Sequence, residues 1–197
     1  MQNSDDIAFS HHLNVVQVAD FFVQQDALRD EPDVTPMKLQ KLLYLAQANY
    51  LASANERLFD EPVEAHAHGP VVHRAWQVFP GQQIIATQTT LDFASRADER
   101  LPLDVETFLG EVWSKYRDWS ASQFRNLAHL QDPWKNHYRA DAYRTQIPDD
   151  EMTHYFRQSV AASERVFHSN VVGIPAGFIE SFDDDEAVAA FNRFMRA

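Results

Sequence analysis

The chain has 197 residues, 45% hydrophobic and 23% charged, with 14 phenylalanines, no cysteine and a formal net charge of −12. That is the composition of a globular protein with a sizeable core, and it excludes disulfides, thiolate metal sites and a cysteine nucleophile. The negative charge argues against a broad basic surface for nucleic acid and suits a basic protein partner, although it equally serves solubility. The five glycines are scattered, so there is no glycine-rich phosphate cradle, dinucleotide fingerprint or nucleophile elbow. The opening MQNSDDIAFSHH lacks the positive region of a signal peptide, and no apolar run reaches membrane-spanning length. A soluble cytoplasmic protein without a membrane partner is expected.

In chain order, the first helix is predicted to start near Asn14 with Val15, Val18, Ala19 and Phe22 facing inward, and to close at the acidic, proline-bearing segment 29–33. A second starts at Thr35, whose hydroxyl caps it, with Pro36 in the first helical position. Leu39, Leu42, Leu43, Ala46 and Tyr50 make one apolar face, and Leu45, Ala48 and Leu51 add a second side. This helix should be buried over most of its girth, leaving Lys38, Gln40, Lys41, Gln47 and Asn49 to find water or a polar partner. After a polar turn at 53–56, residues 58–68 read as an extended run. Gly69-Pro70 then breaks the backbone, and a helix is predicted to restart with Pro70 in or near its first turn, carrying the stripe Val71, Val72, Ala75, Trp76 and Phe79.

Residues 82–87 suit a short strand. Asp104 is expected to cap a helix whose inner face is Val105, Phe108, Leu109, Val112, Trp113 and Tyr116. Ser120 and Gln123 have capping-box spacing and open a short helix through Phe124, Leu127, Ala128 and Leu130, which Asp132-Pro133 stops. Residues 135–147 read as a loop with one helical turn at most. The acids at 149–151 start a long helix through Met152, Tyr155, Phe156, Val160 and Phe167; a break at 171–175 precedes a last helix from 183–186. The fold class expected is mainly α: a compact multi-helix single domain with at most a short strand or hairpin element.

Two kinds of chemistry can be weighed. His66 and His68 alternate in the extended run, which would let both imidazoles face one metal ion if a third ligand joined them from His129, His137 or His154. That would make a metal-dependent hydrolase. Asp60, Glu64 and Asp132 are available as carboxylates, but acids are abundant and nothing singles these out. Lys38 and Lys41 should pair with acids such as Asp60, Glu61 or Glu64. No constellation defines an enzyme, and no cofactor is expected.

The order TPMKLQKLLY from Thr35, a polar turn, an acidic-aromatic stretch ending Glu64-Ala65, then Gly69-Pro70-Val71-Val72, resembles the Panacea domain, a phage-associated (GepA-like) family that includes the SocA-like antitoxins. The segment SASQFRNLAHLQDPW, from Ser120 to Trp134, is similar to the family's later motif. One departure is that His66 and His68 stand where the family carries aromatics. The resemblance implies an antitoxin domain over residues 1–148, with a C-terminal helical extension over 149–197 packed on it. It implies a cognate toxin as partner, encoded by an adjacent gene and neutralised by direct contact, with a cellular protease as a further partner if the adaptor role of SocA-like members carries over. Lys38, Gln40, Lys41, His129 and Trp134 are the partner-binding candidates. The alternative to both readings is a phage-encoded module that binds a host protein.

Overall fold

The helix Pro36–Ala54 (α2) is buried without interruption from Lys38 to Leu51, and the other long elements are arranged around it. The computed structural model describes residues 13–81, 83–85, 101–142 and 144–166, all within one unit spanning 11–169. The break at 171–175, the helix from 183–186 and Phe167 lie outside the described residues.

Local chemistry sets the ends of the early helices. Val15–Ala27 (α1) begins with a complete capping box: the Asn14 side chain accepts from the Gln17 N–H, and the Gln17 side chain accepts from the Asn14 N–H. Glu61 adds its carboxylate at 2.8 Å from the Val15 N–H, favourable at a helix N-terminus. At the other end the buried Asp26 accepts from the backbone N–H groups of Asp33 and Val34, folding the chain back toward α2. Thr35 caps α2 as expected, 3.3 Å from the Lys38 N–H. Asn55 ends it in the left-handed region (φ 60°), a conformation its short polar side chain tolerates.

Three short strands form a sheet of order β2-β1-β3: Glu64–His66 (β1), Gly69–Val71 (β2) and Thr145–Gln146 (β3). Gly69-Pro70 does not restart a helix. It lies in β2, and the helix His73–Val78 (α3) begins only after Val72. Pro70 pairs with Ala65 across the hairpin. Proline cannot donate a ladder bond, so it is confined to edge strands, and β2 is one. The turn is Ala67-His68, and Gly69 takes the left-handed step after it (φ 100°). The extended run therefore ends at His66, and His68 belongs to the turn.

The second half closes the core. Leu103–Tyr116 (α4) buries Val105, Phe108, Leu109, Val112, Trp113 and Tyr116 as its spacing predicts, with Tyr50 edge-on to Phe108 at 5.4 Å. Asp104 sits in its first turn and is not the cap; Pro102 holds that position. Ser120 and Gln123 do form their capping box at the start of Ala121–Leu130 (α5). Asp132-Pro133 stops α5 but also opens a further helix, Asp132–His137 (α6), with Pro133 in its first turn where a missing N–H costs nothing. Asp149–Gln158 (α7) packs on α2 through Met152 and Phe156 and is shorter than predicted, giving way to a 3-10 turn at Ala162–Glu164. No strand occupies 83–85; instead the Ile85 N–H donates to the Val34 carbonyl. The described residues are mainly helical, as expected.

Gly69 and Gly81 have nearly equal positive φ (100° and 101°) in different surroundings. A Cβ on Gly69 would lie 2.8 Å from Lys41 Nζ and 3.3 Å from Ala128 Cβ, whereas one on Gly81 would meet nothing within 4 Å. Gly81→Ala should cost about 1–2 kcal/mol of backbone strain, and Gly69→Ala about 2–4 kcal/mol because a steric clash adds to the same strain. Urea unfolding of both variants measures the difference; equal losses would mean that the space under Gly69 is not needed.

Candidate partner-binding site

Each polar residue that the sequence leaves on α2 reaches the backbone of another segment. Lys38 Nζ donates to the Arg117 carbonyl just past the end of α4 and lies 2.7 Å from Asp33 Oδ1. A cation there is favourable, because the last carbonyls of a helix carry partial negative charge. Gln40 Oε1 accepts from the Val72 N–H at 2.6 Å, and Lys41 Nζ donates to the Pro70 carbonyl at 2.8 Å. These are the outward-facing groups of the β2 edge, so Gln40 and Lys41 take the place of a neighbouring strand. Gln47 accepts from the Leu58 and Phe59 N–H groups and donates to the Phe59 carbonyl. Asn49 accepts from the Val166 N–H at 2.8 Å.

The expected pairings of Lys38 and Lys41 with Asp60, Glu61 or Glu64 do not form. Lys38 pairs with Asp33, Glu61 caps α1, and the buried Glu64 takes Arg144 at 2.9 Å and His66 Nε2 at 3.0 Å. Burial alone would raise the Glu64 pKa; hydrogen bonds and charge from Arg144 and His66 outweigh it and leave the carboxyl below its ordinary value. Arg144 holds this contact from a left-handed backbone (φ 58°), and sequence reasoning did not anticipate it. Lys41, by contrast, has a carbonyl partner and deep burial, which pushes its ammonium down to about 7.

The later motif meets the hairpin from the other side. Trp134 is 9% exposed, and its indole N–H donates to the His66 carbonyl at 2.9 Å. The His129 ring stacks on it at 4.3 Å and the Tyr138 ring at 4.9 Å, making a three-ring pile under the turn. His129 is half-buried. Burial, then Arg125, Lys41 and His68, hold its imidazole below the ordinary value, opposed by a link to the Ala67 backbone. Its Nε2 is covered and makes no hydrogen bond.

Lys38, Gln40, Lys41 and Trp134 thus face inward, and of the five candidates only His129 is more than marginally exposed. His66 is committed to Glu64 while the exposed His68 sits in the turn. Among the described residues, no group of three His, Asp or Glu side chains could hold a metal ion. Asp132 is exposed and bonded to Lys135, and Asp60 is exposed.

This arrangement defines a mainly helical domain in which a buried helix and an aromatic pile grip a short β-hairpin. Residues 39–135 match the family model described as antitoxin SocA-like, Panacea domain, and the chain carries a domain of that family. The matched segment contains Gln40, Lys41, Gly69, Pro70, Val72, His129 and Trp134, the whole grip; Lys38 and Arg144 fall outside it. No curated protein and no solved structure matches the chain. No helix among the described residues is long and apolar enough to cross a membrane.

The depressed Lys41 pKa has a stability consequence with a definite sign. The folded protein favours the neutral amine, so between about pH 7 and the unfolded value near 10.4 the unfolded chain binds more protons, and stability rises with pH. Relative to Lys41→Met, the wild-type protein should gain stability with pH at about half of 1.4 kcal/mol per pH unit at pH 7, rising to about 1.4 kcal/mol per unit between pH 8 and 9. Urea titrations at pH 7, 8 and 9 test this. Parallel pH profiles for the two proteins would show that Lys41 is not buried in this way.

Proposed function

We propose that the protein is an antitoxin that neutralises a cognate toxin by direct protein–protein contact, and that the toxin is encoded by a neighbouring gene. The observation that carries this reading is the antitoxin-family match over the segment that builds the hairpin grip. The structure supports it through the fate of the motif's polar residues. Gln40, Lys41 and Trp134 direct their hydrogen bonds to main-chain groups of the hairpin, a use suited to a rigid presenting scaffold. In this reading Lys38, Gln40, Lys41 and Trp134 shape the partner-binding face from below, while His129 and the turn at Ala67-His68 touch the partner. Residues 1–148 would carry the antitoxin domain, with 149–197 as its extension. Half-buried Trp76 and Trp119 are available as aromatic anchors of the kind that dominate binding energy. The surplus of acid suits a basic toxin surface and would speed encounter. A proteolytic adaptor role adds a cellular protease as second partner, in a cytoplasmic setting.

Expression of each neighbouring gene, alone and with this chain, tests the proposal. One neighbour should arrest growth alone and be tolerated with the wild-type chain, while Trp134→Ala, which loosens the hairpin, should protect at least tenfold less. Two neighbours harmless on their own would contradict the reading. A toxin whose level falls only when the protease is present would add the adaptor role.

A further inference from the structure

We propose that the tip of the β-hairpin, residues 66–70, is a proton-operated latch: it lies down on α2 while the Lys41 amine is neutral and lifts when that amine takes up a proton. Two side chains pin the tip, and both bond to main-chain carbonyls. Lys41 Nζ donates to Pro70 at 2.8 Å on one strand, and the Trp134 indole donates to His66 at 2.9 Å on the other. The base of the hairpin is fastened separately. Gln40 Oε1 accepts from the Val72 N–H at 2.6 Å, the Ile147 N–H donates to the Val63 carbonyl at 2.8 Å, and Arg144 holds Glu64 at 2.9 Å. The tip can therefore pivot as one rigid piece, with its own ladder and the Val72 bond intact.

The closeness of the tip to Lys41 makes it the moving part. Lys41 is 2% exposed, and a Cβ on Gly69 would lie 2.8 Å from its Nζ, so the backbone of the tip packs against the amine. Among the described residues that amine bonds to the Pro70 carbonyl alone. One acceptor suffices for a neutral amine. An ammonium carries three donors and a charge, and burying it unpaired is costly. None of the groups around it offers relief. His68 in the turn and Arg125 and His129 on α5 can add only like charge, while Glu64 on β1 is taken by Arg144 and His66. Tyr44, one turn along α2, is held in its protonated form by burial. Helix α2 is locked by burial from Lys38 to Leu51, and α5 by Phe124 and Ala128, whereas Ala67 and His68 at the tip are exposed. Lifting the tip is thus the shortest way to bring water to the ammonium. Burial sets the pKa at about 7 with the tip down, and water restores the ordinary value once it lifts. The lifted fraction therefore grows as pH falls from about 9 and levels off below about 6.

Exchange of the Trp134 indole N–H with water reads the latch, because the His66 carbonyl holds that proton only while the tip is down. NMR of the full chain separates the four indole signals, and Trp134→Phe assigns the one needed. In the ratio of wild-type to Lys41→Met rates the intrinsic pH dependence cancels, and this ratio should be about tenfold larger at pH 6 than at pH 8. The indole should also be about tenfold less protected than the Val72 N–H, whose bond to Gln40 stays closed. Should Lys41→Met not fold, the wild-type protein decides alone. Its indole protection, taken against free tryptophan at each pH, should fall about tenfold from pH 8 to pH 6 and stay below that of Val72. A rate ratio or wild-type protection independent of pH would overturn the latch. So would an indole as protected as the Val72 N–H at every pH, because unfolding of the whole chain would then be the only opening.

Discussion

Two side chains of one buried helix finish the edge of a β-strand, and most of the structure follows from that contact. Gln40 meets the Val72 N–H and Lys41 meets the Pro70 carbonyl, so β2 needs no further strand beside it. Pro70 fits because the position opposite Ala65 requires no N–H. Gly69 fits because Lys41 occupies the volume a Cβ would need. Strand edge, glycine, proline and the two polar residues fit together, and removing Gln40 or Lys41 leaves a buried backbone group unpaired at about 1–3 kcal/mol.

The same logic extends along α2. A helix buried on all sides draws its stability from apolar contact, yet its polar residues must be satisfied or removed. Here they serve segments that lack a regular ladder: the end of α4 through Lys38, the 58–59 corner through Gln47, and the stretch at Val166 through Asn49. The helix is therefore both the centre of the hydrophobic core and the hydrogen-bonding partner of the irregular parts around it. Trp134 does the same from α6, so the hairpin is held from two sides.

What could be read from the sequence was local. Asn14, Thr35 and Ser120 cap helices through residues two or three positions away, and the apolar stripes of α1, α2 and α4 repeat at helical spacing. What could not be read was non-local. Gly-Pro is a sound helix-start signal, overridden here by Gln40 and Lys41, about thirty residues earlier in the chain. Asp132-Pro133 was legible as a stop and equally encoded a start. Strand β3 is two residues long and exists only because β1 lies beside it. The residues of the grip were recognisable from their resemblance to a family, but their roles were not. Their partners are backbone carbonyls and amides, which carry no residue identity, and Arg144 reaches Glu64 from a conformation that no pattern announces.

A hairpin gripped in this way holds a rigid turn bearing His68, and its rigidity rests on the closed edge of β2. Amide hydrogen exchange at Val72 measures that closure directly. The edge contact predicts that the Val72 N–H in the wild-type protein exchanges as slowly as the amides at the centre of α2, and that Gln40→Leu speeds it at least a hundredfold while the α2 amides change far less. Fast exchange at Val72 in the wild-type protein, or no change in Gln40→Leu, would mean that the helix does not complete the strand.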